Sequence, residues 1–196
     1  MNMKISIITI TYNSAKTLPN TLQSVLSQTY PYIEHIIVDG ASKDGTKELI
    51  EAYAKEVQKE DERCTKEVRW VSEKDSGIYN AINKGIQMAT GDVIGFVHSD
   101  DMLFSSDSIE HIANAFSSSD VDLIYGDLQY CKGDKVVRRW KSNAYNPCAL
   151  KYGWMPPHPT VYCKREVYER VGLYDEWFRI SADYDMMLRI FREGFQ

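Results

Sequence analysis

The first hundred residues alternate between short apolar runs and amphipathic segments. The apolar runs are rich in β-branched residues and have the length of buried strands. Such runs lie at 4–9, 33–38, 68–71 and 92–97. Between them, apolar residues recur at helical spacing, and this predicts helices over 14–28, from 44 or 46 to 57, and over 78–86. Strands that alternate with helices favour a mainly parallel sheet with helices on both faces.

The second half of the chain has a different pattern. It predicts a helix over 109–116 and then a strand over 121–125. Two further runs flank Lys132-Gly133-Asp134, which is typical of a hairpin turn. A loop rich in proline and aromatic residues over 145–159 precedes a short strand at Val161 and a helix over 183–192. With no internal repeat, we expect a single α/β domain with a small antiparallel hairpin region.

The composition excludes several classes of protein. Hydrophobic residues make up 43% of the 196 residues, and 23 basic against 28 acidic side chains leave a net charge of −5. These values argue against a disordered tail, a coiled coil and a protein that coats nucleic acid. No apolar run approaches the ~20 residues that span a bilayer, and no signal peptide precedes the first strand. We therefore expect a cytoplasmic location, with peripheral association at the inner face of the membrane left open.

The cysteines point to a reduced compartment rather than to a metal site. The four are Cys64, Cys131, Cys148 and Cys163. They are widely spaced and include no C-x-x-C pair, which argues against zinc and favours isolated thiols.

Polar residues follow each of the first four predicted strands. They are Thr11-Tyr12-Asn13, Asp39-Gly40, Asp75 and Ser99-Asp100-Asp101. Ligands of open α/β sheets bind beyond the carboxyl ends of the strands, so these residues predict a binding site there. No G-x-G-x-x-G follows the first strand, and residues 40–47 lack the G-K-[ST] order of a phosphate loop. Both patterns argue against the common nucleotide-binding loops.

Asp100 and Asp101 are adjacent carboxylates at the end of the fourth strand. Mg²⁺ prefers oxygen ligands and is often held by one or two carboxylates together with substrate phosphates. The alternative is that Asp101 caps a helix or a turn. The residue pattern alone leaves both interpretations open.

Several motifs occur in one order along the chain. They are S-I-I-T-I-T-Y-N at 6–13, V-D-G-A-S-K-D-G-T at 38–46, D-S-G-I-Y-N-A-I-N-K-G at 75–85 and A-T-G-D at 89–92. This pattern resembles the family 2 glycosyltransferases of GT-A fold, including those of bacterial surface polysaccharides, over essentially the whole chain. The resemblance implies a nucleotide-binding half at 1–101 and an acceptor-side half at 102–196. Because that family usually continues beyond this point, we expect the domain to be truncated at its carboxyl end.

The resemblance also implies roles for individual residues. It assigns to the nucleotide sugar Thr9, Thr11, Tyr12, Asp39, Asp75, Asn83, Ser99 and Asp100. Tyr12 would lie near the base, Asp39 would bind the base edge, and Asp101 would bind Mg²⁺ or Mn²⁺ at the diphosphate. His98 stands where the family's metal motif often begins with an acid. Alternatives remain open: Tyr12 as a core aromatic, Asp39 as a turn residue and Asn83 as a helix-surface residue.

The segment S-A-D-Y-D-M-M-L-R at 181–189 resembles the family's motif that carries the general base. Asp183 matches that base, while Ala182 stands where the family often has an acid. Apolar residues follow Asp183 at i+3, i+4, i+7 and i+8, on the same broad helix face, so we expect the carboxylate to point into the domain. The alternative is a carboxylate that only stabilises the helix amino terminus.

The loop W-M-P-P-H-P at 154–159 is stiffened by three prolines around one histidine. We expect His158 or Trp154 to border the ligand pocket, with His158 a candidate ligand near the metal or the diphosphate. The alternative for His158 is an exposed or hydrogen-bonded loop residue.

The resemblance implies an inverting, metal-dependent transfer of a hexosyl or N-acetylhexosaminyl group from a nucleotide-diphospho sugar, with UDP as the first expectation. The acceptor would be a saccharide or lipid-linked saccharide in polysaccharide or lipopolysaccharide assembly, with no role for nucleic acid. The alternatives are an inactive nucleotide-sugar-binding protein and a nucleotidyltransferase. The presence of both Asp101 and Asp183 argues against the first, and the lack of a basic Gly-rich loop after strand one argues against the second.

Overall fold

The computed structural model describes residues 3–58, 66–133 and 135–195. A six-stranded sheet in the order β3-β2-β1-β4-β8-β5 forms its centre, beside a two-stranded sheet of β6 and β7. The strands are β1 (Ile5–Thr11), β2 (Ile33–Asp39), β3 (Glu67–Ser72), β4 (Val93–Phe96), β5 (Leu123–Ile124), β6 (Leu128–Lys132), β7 (Lys135–Trp140) and β8 (Tyr162–Lys164). The helices are α1 (Leu18–Leu26), α2 (Thr46–Val57), α3 (Ile78–Met88), α4 (Ser108–Ser118), α5 (Pro147–Leu150), α6 (Arg165–Val171) and α7 (Ala182–Arg192).

The direction of the strands determines where polar side chains can meet. Strand β1 pairs in parallel with both β2 and β4, and β2 pairs in parallel with β3. Strand β8 runs antiparallel between β4 and β5. The carboxyl ends of four parallel strands and the amino end of β8 therefore lie at the same edge of the sheet. The predicted mainly parallel sheet with a separate antiparallel hairpin is confirmed.

Helices cover both faces of the sheet because the apolar side chains of β1 alternate. Ile8 and Ile10 pack on one face with side chains of α3, α6 and α7. Ile5 and Ile7 pack on the other face, in a cluster that includes side chains of α1 and α4. Helix α2 packs on that second face against Ile37 of β2. Hydrophobic clusters thus hold the central strands in place from both faces, one on the first face and two on the second.

The structure differs from the predicted elements in several places. The strands predicted over 121–125 and at Val161 are β5 (Leu123–Ile124) and β8 (Tyr162–Lys164). Helix α1 begins at Leu18 rather than at residue 14, with a proline in its first turn, where proline is favoured. The loop over 145–159 contains the short helix α5. Helix α6 was not predicted; it has seven residues, buries Val167 and Tyr168, and ends at Gly172 with φ of 84°.

Some predictions fall outside the described residues, namely those on Cys64 and on Asp134 of the hairpin turn. Within the described ranges, Cys131, Cys148 and Cys163 are free thiols. Among the same residues, none of the helices combines the length and the apolar composition needed to cross a bilayer.

Candidate active site

The carboxyl ends of β1, β2 and β3 bring Thr11, Asp39 and Ser72 into one row, because these residues pair in register. The Asp39 side chain has no exposed surface. Its carboxylate accepts hydrogen bonds from the Ser42 amide at 3.1 Å, from the Ser42 hydroxyl and from Ser72 Oγ at 2.6 Å. Asp39 therefore stabilises the turn after β2, and its contact with a base edge stays a prediction.

Gly40 lies where the side chains of Tyr12 and Asp75 approach each other. A Cβ added to Gly40 would lie 3.2 Å from Tyr12 Cδ2 and 3.2 Å from Asp75 Oδ2. Tyr12 is 67% exposed, which excludes a core aromatic and leaves its ring available to a ligand. The structure thus brings together residues that the sequence places after three different strands.

Lys84 belongs to this group of residues but was missed in the sequence. Its Nζ lies 2.5 Å from Asp75 Oδ1 and 2.8 Å from Glu73 Oε1, and these carboxylates raise the pKa of the lysine. Lys84 lies in the motif at 75–85, but no local periodicity identifies its partner. The ion pair balances the charge of Asp75 beside Tyr12.

Hydrogen bonds join the loops that follow β1, β2 and β4. The Asn13 amide donates to Ser42 Oγ at 2.7 Å, and Ser99 Oγ donates to Ser14 Oγ at 3.0 Å. Thr21 of α1 donates to the Asp101 carbonyl oxygen at 2.8 Å. The candidate ligand residues are consequently held on one connected framework, with Ser99 as part of it.

The two threonines of β1 have different environments. Thr9 is fully buried, and its hydroxyl donates to the Val97 carbonyl oxygen at 2.6 Å and lies 2.9 Å from His35 Nε2. The Thr9 hydroxyl is therefore occupied by contacts within the protein, and a contact between Thr9 and a nucleotide stays a prediction. Thr11 is 6% exposed, and its Oγ1 has no hydrogen-bond partner among the described residues. An unpaired buried hydroxyl is costly, so Thr11 stays a candidate for a ligand contact.

Asp100 and Asp101 follow β4 in a tight turn, in which the Asp101 amide donates to the His98 carbonyl oxygen at 2.9 Å. Asp100 is exposed and Asp101 is half-buried. Burial, and then the neighbouring Asp100 charge, raise the pKa of Asp101 to about 6. Across residues 3–58, 66–133 and 135–195, no lysine or arginine forms an ion pair with either carboxylate.

This uncompensated pair fits a hard divalent cation. The described part of the chain contains no group of three His, Cys, Asp or Glu side chains arranged to hold a metal ion. Mg²⁺ commonly binds through one or two carboxylates and takes its remaining ligands from water and substrate phosphates. A lone acidic pair with a desolvated member therefore suits a cation that arrives with a diphosphate.

A stack of rings runs inward from the end of β4. His158 lies in a helical turn before β8, and its ring centroid is 5.6 Å from that of Phe96 and 6.4 Å from that of His98. Its Nε2 lies 2.7 Å from the Tyr174 hydroxyl. Burial lowers the pKa of His158, while the charge of Asp183 acts in the opposite direction. His158 is thus a hydrogen-bonded residue at the site edge, and its role as a metal ligand stays a prediction.

Trp154, the other candidate of this loop, is half-buried, with its ring centroid 6.3 Å from that of Tyr125.

His98 adds a polar atom to the stack, because its buried Nδ1 has no partner within the described ranges. Burial, and then the neighbouring His158, lower the pKa of His98 to about 4. The position that the family often fills with an acid therefore holds a neutral ring at neutral pH.

Asp183 is the second residue of α7 and is half-buried. The apolar face predicted for this helix is present, since Met186, Met187 and Ile190 are fully buried. The Asp183 charge contributes to the raised pKa of Tyr79 and of Tyr174, for which burial is the larger cause. The negative charge of Asp183 thus influences the tyrosines of the ring cluster that extends to the end of β4.

Asn83 is 6% exposed, which excludes a helix-surface position. Its amide bonds the segment that precedes α7, with Nδ2 2.9 Å from the Tyr174 carbonyl oxygen and 3.1 Å from Glu176 Oε1. Its expected place beside the donor sugar stays a prediction. Tyr79 and Tyr174, which the sequence analysis did not single out, complete the surroundings of Asp183.

The sequence model of the family described as "Glycosyl transferase family 2" matches residues 6–182 of the chain. The chain belongs to glycosyltransferase family 2. A "PGL/p-HBAD biosynthesis glycosyltransferase" of Mycobacterium bovis is 30% identical over 193 residues, which cover 95% of this chain and 69% of that protein. An uncharacterized glycosyltransferase of Nostoc is 31% identical over 193 residues, covering 92% of this chain and 57% of that protein.

Solved structures of other proteins share the fold. S. aureus TarS 1–349 superposes with a TM-score of 0.76 at 20% identity, covering 96% of this chain and 55% of that one. A TarS structure in complex with UDP-GlcNAc gives a TM-score of 0.75. The mannosyltransferase PcManGT from Pyrobaculum calidifontis, in complex with GDP-Man and Mn²⁺, gives 0.72 at 20% identity and covers 100% of this chain and 54% of that one. The GT-A fold is thereby confirmed, and the family 2 chain spans about half the length of these solved chains.

Proposed function

We propose that this family 2 glycosyltransferase transfers a sugar from a nucleotide-diphospho sugar to an acceptor hydroxyl with inversion. One observation carries the proposal. Two separate acidic centres lie on one framework, the pair Asp100-Asp101 after β4 and Asp183 at the start of α7. The rings of His98, His158 and Tyr174 contact one another between them, and the charge of Asp183 acts on His158 and Tyr174. A glycosyl transfer needs one centre for the leaving diphosphate and one for the incoming hydroxyl.

The donor side would use the strand ends. Tyr12 offers an exposed ring for a base, and Thr11, Asp39, Asp75 and Ser99 lie around the same edge. UDP is the first choice of nucleotide, supported by the TarS complexes with UDP and UDP-GlcNAc, while PcManGT was solved with GDP-Man. Asp101, with Asp100 beside it, would hold Mg²⁺ or Mn²⁺. When bound, the cation would supply positive charge for the leaving diphosphate.

The acceptor side would use Asp183. The Asp183 carboxylate takes the proton of the acceptor hydroxyl while the hydroxyl oxygen attacks the anomeric carbon. The bond from that carbon to the diphosphate oxygen breaks in the same step, and the electron pair leaves with the nucleoside diphosphate. A single displacement inverts the anomeric centre. A positioned general base contributes about 10²–10⁴-fold to such a step.

We place the acceptor in the class of saccharides or lipid-linked saccharides, within polysaccharide or lipopolysaccharide assembly at the cytoplasmic face of a membrane. The name of the mycobacterial relative, which refers to PGL/p-HBAD biosynthesis, supports a glycan-building role. Within the described topology, residues 1–101 would supply the nucleotide-binding half and residues 102–196 the acceptor-side half.

A donor screen tests the proposal. The chain is incubated with UDP-, GDP- and dTDP-sugars and Mn²⁺, and release of the nucleoside diphosphate is measured with and without saccharide acceptors. Asp183→Asn is expected to lower turnover by about 10²–10⁴-fold. Asp185→Asn, on the same helix but paired with Arg189 at 2.8 Å, is the matched control and should keep turnover. Unchanged turnover in both Asp101→Ala and Asp183→Asn would disprove the mechanism.

The alternatives give different products. A protein that only binds nucleotide sugars would bind UDP but would not release UDP from any sugar donor. A nucleotidyltransferase would join a nucleoside triphosphate to a sugar phosphate and release pyrophosphate. Calorimetry of UDP-sugar binding with Mn²⁺ or with EDTA tests the cation separately. Binding that ignores EDTA would remove the metal from the proposal.

A further inference from the structure

Four polar side chains, three on α3 and one just before it, lie on one side of the helix and contact the segment that leads into α7. Ser76, Tyr79, Asn80 and Asn83 recur at i, i+3, i+4 and i+7, the spacing that places residues on one side of a helix. The contacted segment, residues 174–182, ends one residue before Asp183. Asp75, on the donor side of the site, immediately precedes this face.

The first part of the contact is a clamp on Glu176. Its carboxylate accepts hydrogen bonds from Asn83 Nδ2 at 3.1 Å, from Asn80 Nδ2 at 3.1 and 3.2 Å, and from Ser76 Oγ at 3.2 Å. These hydrogen bonds lower the pKa of Glu176, and the bond from Asn83 has the largest effect. The clamp ties the loop ahead of α7 to α3.

The second part is a cap on α7 itself. The first amides of a helix have no partner within the helix and need one elsewhere. Ser181 precedes α7 in a left-handed conformation, with φ of 74°, and its side chain does not cap the helix. The Tyr79 hydroxyl takes that place, since it accepts a hydrogen bond from the Ala182 amide at 3.1 Å and lies within reach of the Ser181 and Asp183 amides.

The Tyr79 ring is itself held in position. It stacks on the Tyr174 ring with centroids 5.9 Å apart and an interplanar angle of 9°. The Tyr174 hydroxyl in turn lies 2.7 Å from His158 Nε2. The cap is thus part of a packed cluster rather than a surface contact, and the Asp183 charge contributes to the raised pKa of Tyr79.

We propose that Tyr79 is a positioning residue for Asp183: its hydroxyl caps α7 from the neighbouring helix α3 and thereby orients the carboxylate that deprotonates the acceptor. The inference rests on the proposed function of Asp183 as base. Tyr79 acts through Asp183 and does not touch the substrate.

Tyr79→Phe tests this inference, because it removes one oxygen atom and keeps the ring. We expect kcat of the transfer reaction to fall by about 10- to 100-fold, since small misplacements of a catalytic group have effects of this size. The donor KM and the affinity for UDP should stay within about twofold of wild type. Hydrogen exchange of the peptide that covers residues 181–185 should become faster. Tyr30→Phe, which removes a hydroxyl that donates to the Met3 carbonyl oxygen, is the matched control and should change none of these.

The double variant separates this inference from the proposed function. In an Asp183→Asn background, Tyr79→Phe should cause no further loss of kcat, because both act on one group. An equal loss in both backgrounds, or unchanged kcat and unchanged exchange in Tyr79→Phe, would overturn the inference. If Asp183→Asn alone leaves turnover unchanged, the proposed base is wrong, and the exchange data alone then decide whether Tyr79 caps α7.

Discussion

Asn83 and Tyr174 form a closed pair of hydrogen bonds although they are 91 residues apart in the sequence. Asn83 Nδ2 donates to the Tyr174 carbonyl oxygen at 2.9 Å, and the Tyr174 amide donates to Asn83 Oδ1 at 2.9 Å. The side-chain amide of Asn83 thus pairs with both backbone groups of Tyr174, as the backbone of a neighbouring strand would. Both partners are almost fully buried, with 6% and 3% exposure.

Replacement of Asn83 should therefore be costly for stability. Asn83→Leu leaves the amide and the carbonyl of Tyr174 buried without partners, and we expect the free energy of unfolding to fall by about 2–4 kcal/mol. Asn80→Ala removes the exposed bonds to Glu176 and a long bond of 3.4 Å from the Ser76 amide, and it should cost less than about 1 kcal/mol. Urea unfolding of the two variants measures the difference. Equal losses of unfolding free energy in the two variants would contradict a larger contribution of the hydrogen bonds between Asn83 and Tyr174.

Gly85 lies where α3 packs closely on Ile8 of β1. A Cβ at this position would lie 2.4 Å from Ile8 Cγ2. Although alanine is the better helix former by about 1 kcal/mol, we expect Gly85→Ala to destabilise the chain by about 1–3 kcal/mol because the core cannot accept the methyl group. In an Ile8→Ala background the same change should become neutral or favourable, as thermal unfolding would reveal. Additive effects would contradict the proposed clash.

A substitution of Gly40 tests whether the donor side of the site, beside Tyr12 and Asp75, binds UDP. An alanine Cβ at 3.2 Å from both the Tyr12 ring and the Asp75 carboxylate forces them apart by a few tenths of an ångström. We expect Gly40→Ala to weaken UDP binding by about fivefold, or about 1 kcal/mol, with little change in Tm. Calorimetry measures the affinity. Gly126→Ala, where an added Cβ meets nothing within 4 Å, is the control.

His35 makes the stability depend on pH. It is buried between Thr9 Oγ1 and the Tyr53 hydroxyl, each 2.9 Å from a ring nitrogen, and burial lowers its pKa from 6.5 to about 3. Between these two values the unfolded chain binds a proton that the folded chain excludes. The His35 contribution to stability is therefore complete above pH 6.5 and is lost as the pH falls, by at most about 1.4 kcal/mol per pH unit.

Urea unfolding between neutral pH and about pH 5 checks this prediction in wild type and in His35→Gln. The variant should show a shallower loss of stability on acidification, because the contribution of the carboxylates is common to both proteins. Parallel curves for the two proteins would contradict the assignment to His35.

The sequence predicts the frame of the site because periodicity reports burial. Four apolar runs became the four parallel strands, and parallel strands place their carboxyl ends at one edge, so Tyr12, Asp39 and Asp101 were expected there. Helix α6 was missed since only two of its seven residues are buried, which is too short a pattern to recognise. For Thr9, the motif does not reveal that the hydroxyl of this strand residue bonds the Val97 carbonyl oxygen.

By itself, the sequence determined the first four strands with the helices between them, the edge of the sheet at which polar residues gather, and the family. Only the tertiary structure decided which of these residues touch: Asn83 with Tyr174, His158 with Tyr174, and Tyr79 with the Ala182 amide 103 residues away. The reason is physical. Local periodicity fixes which side of an element faces the core, but the partner across the gap depends on how the helices pack on the sheet.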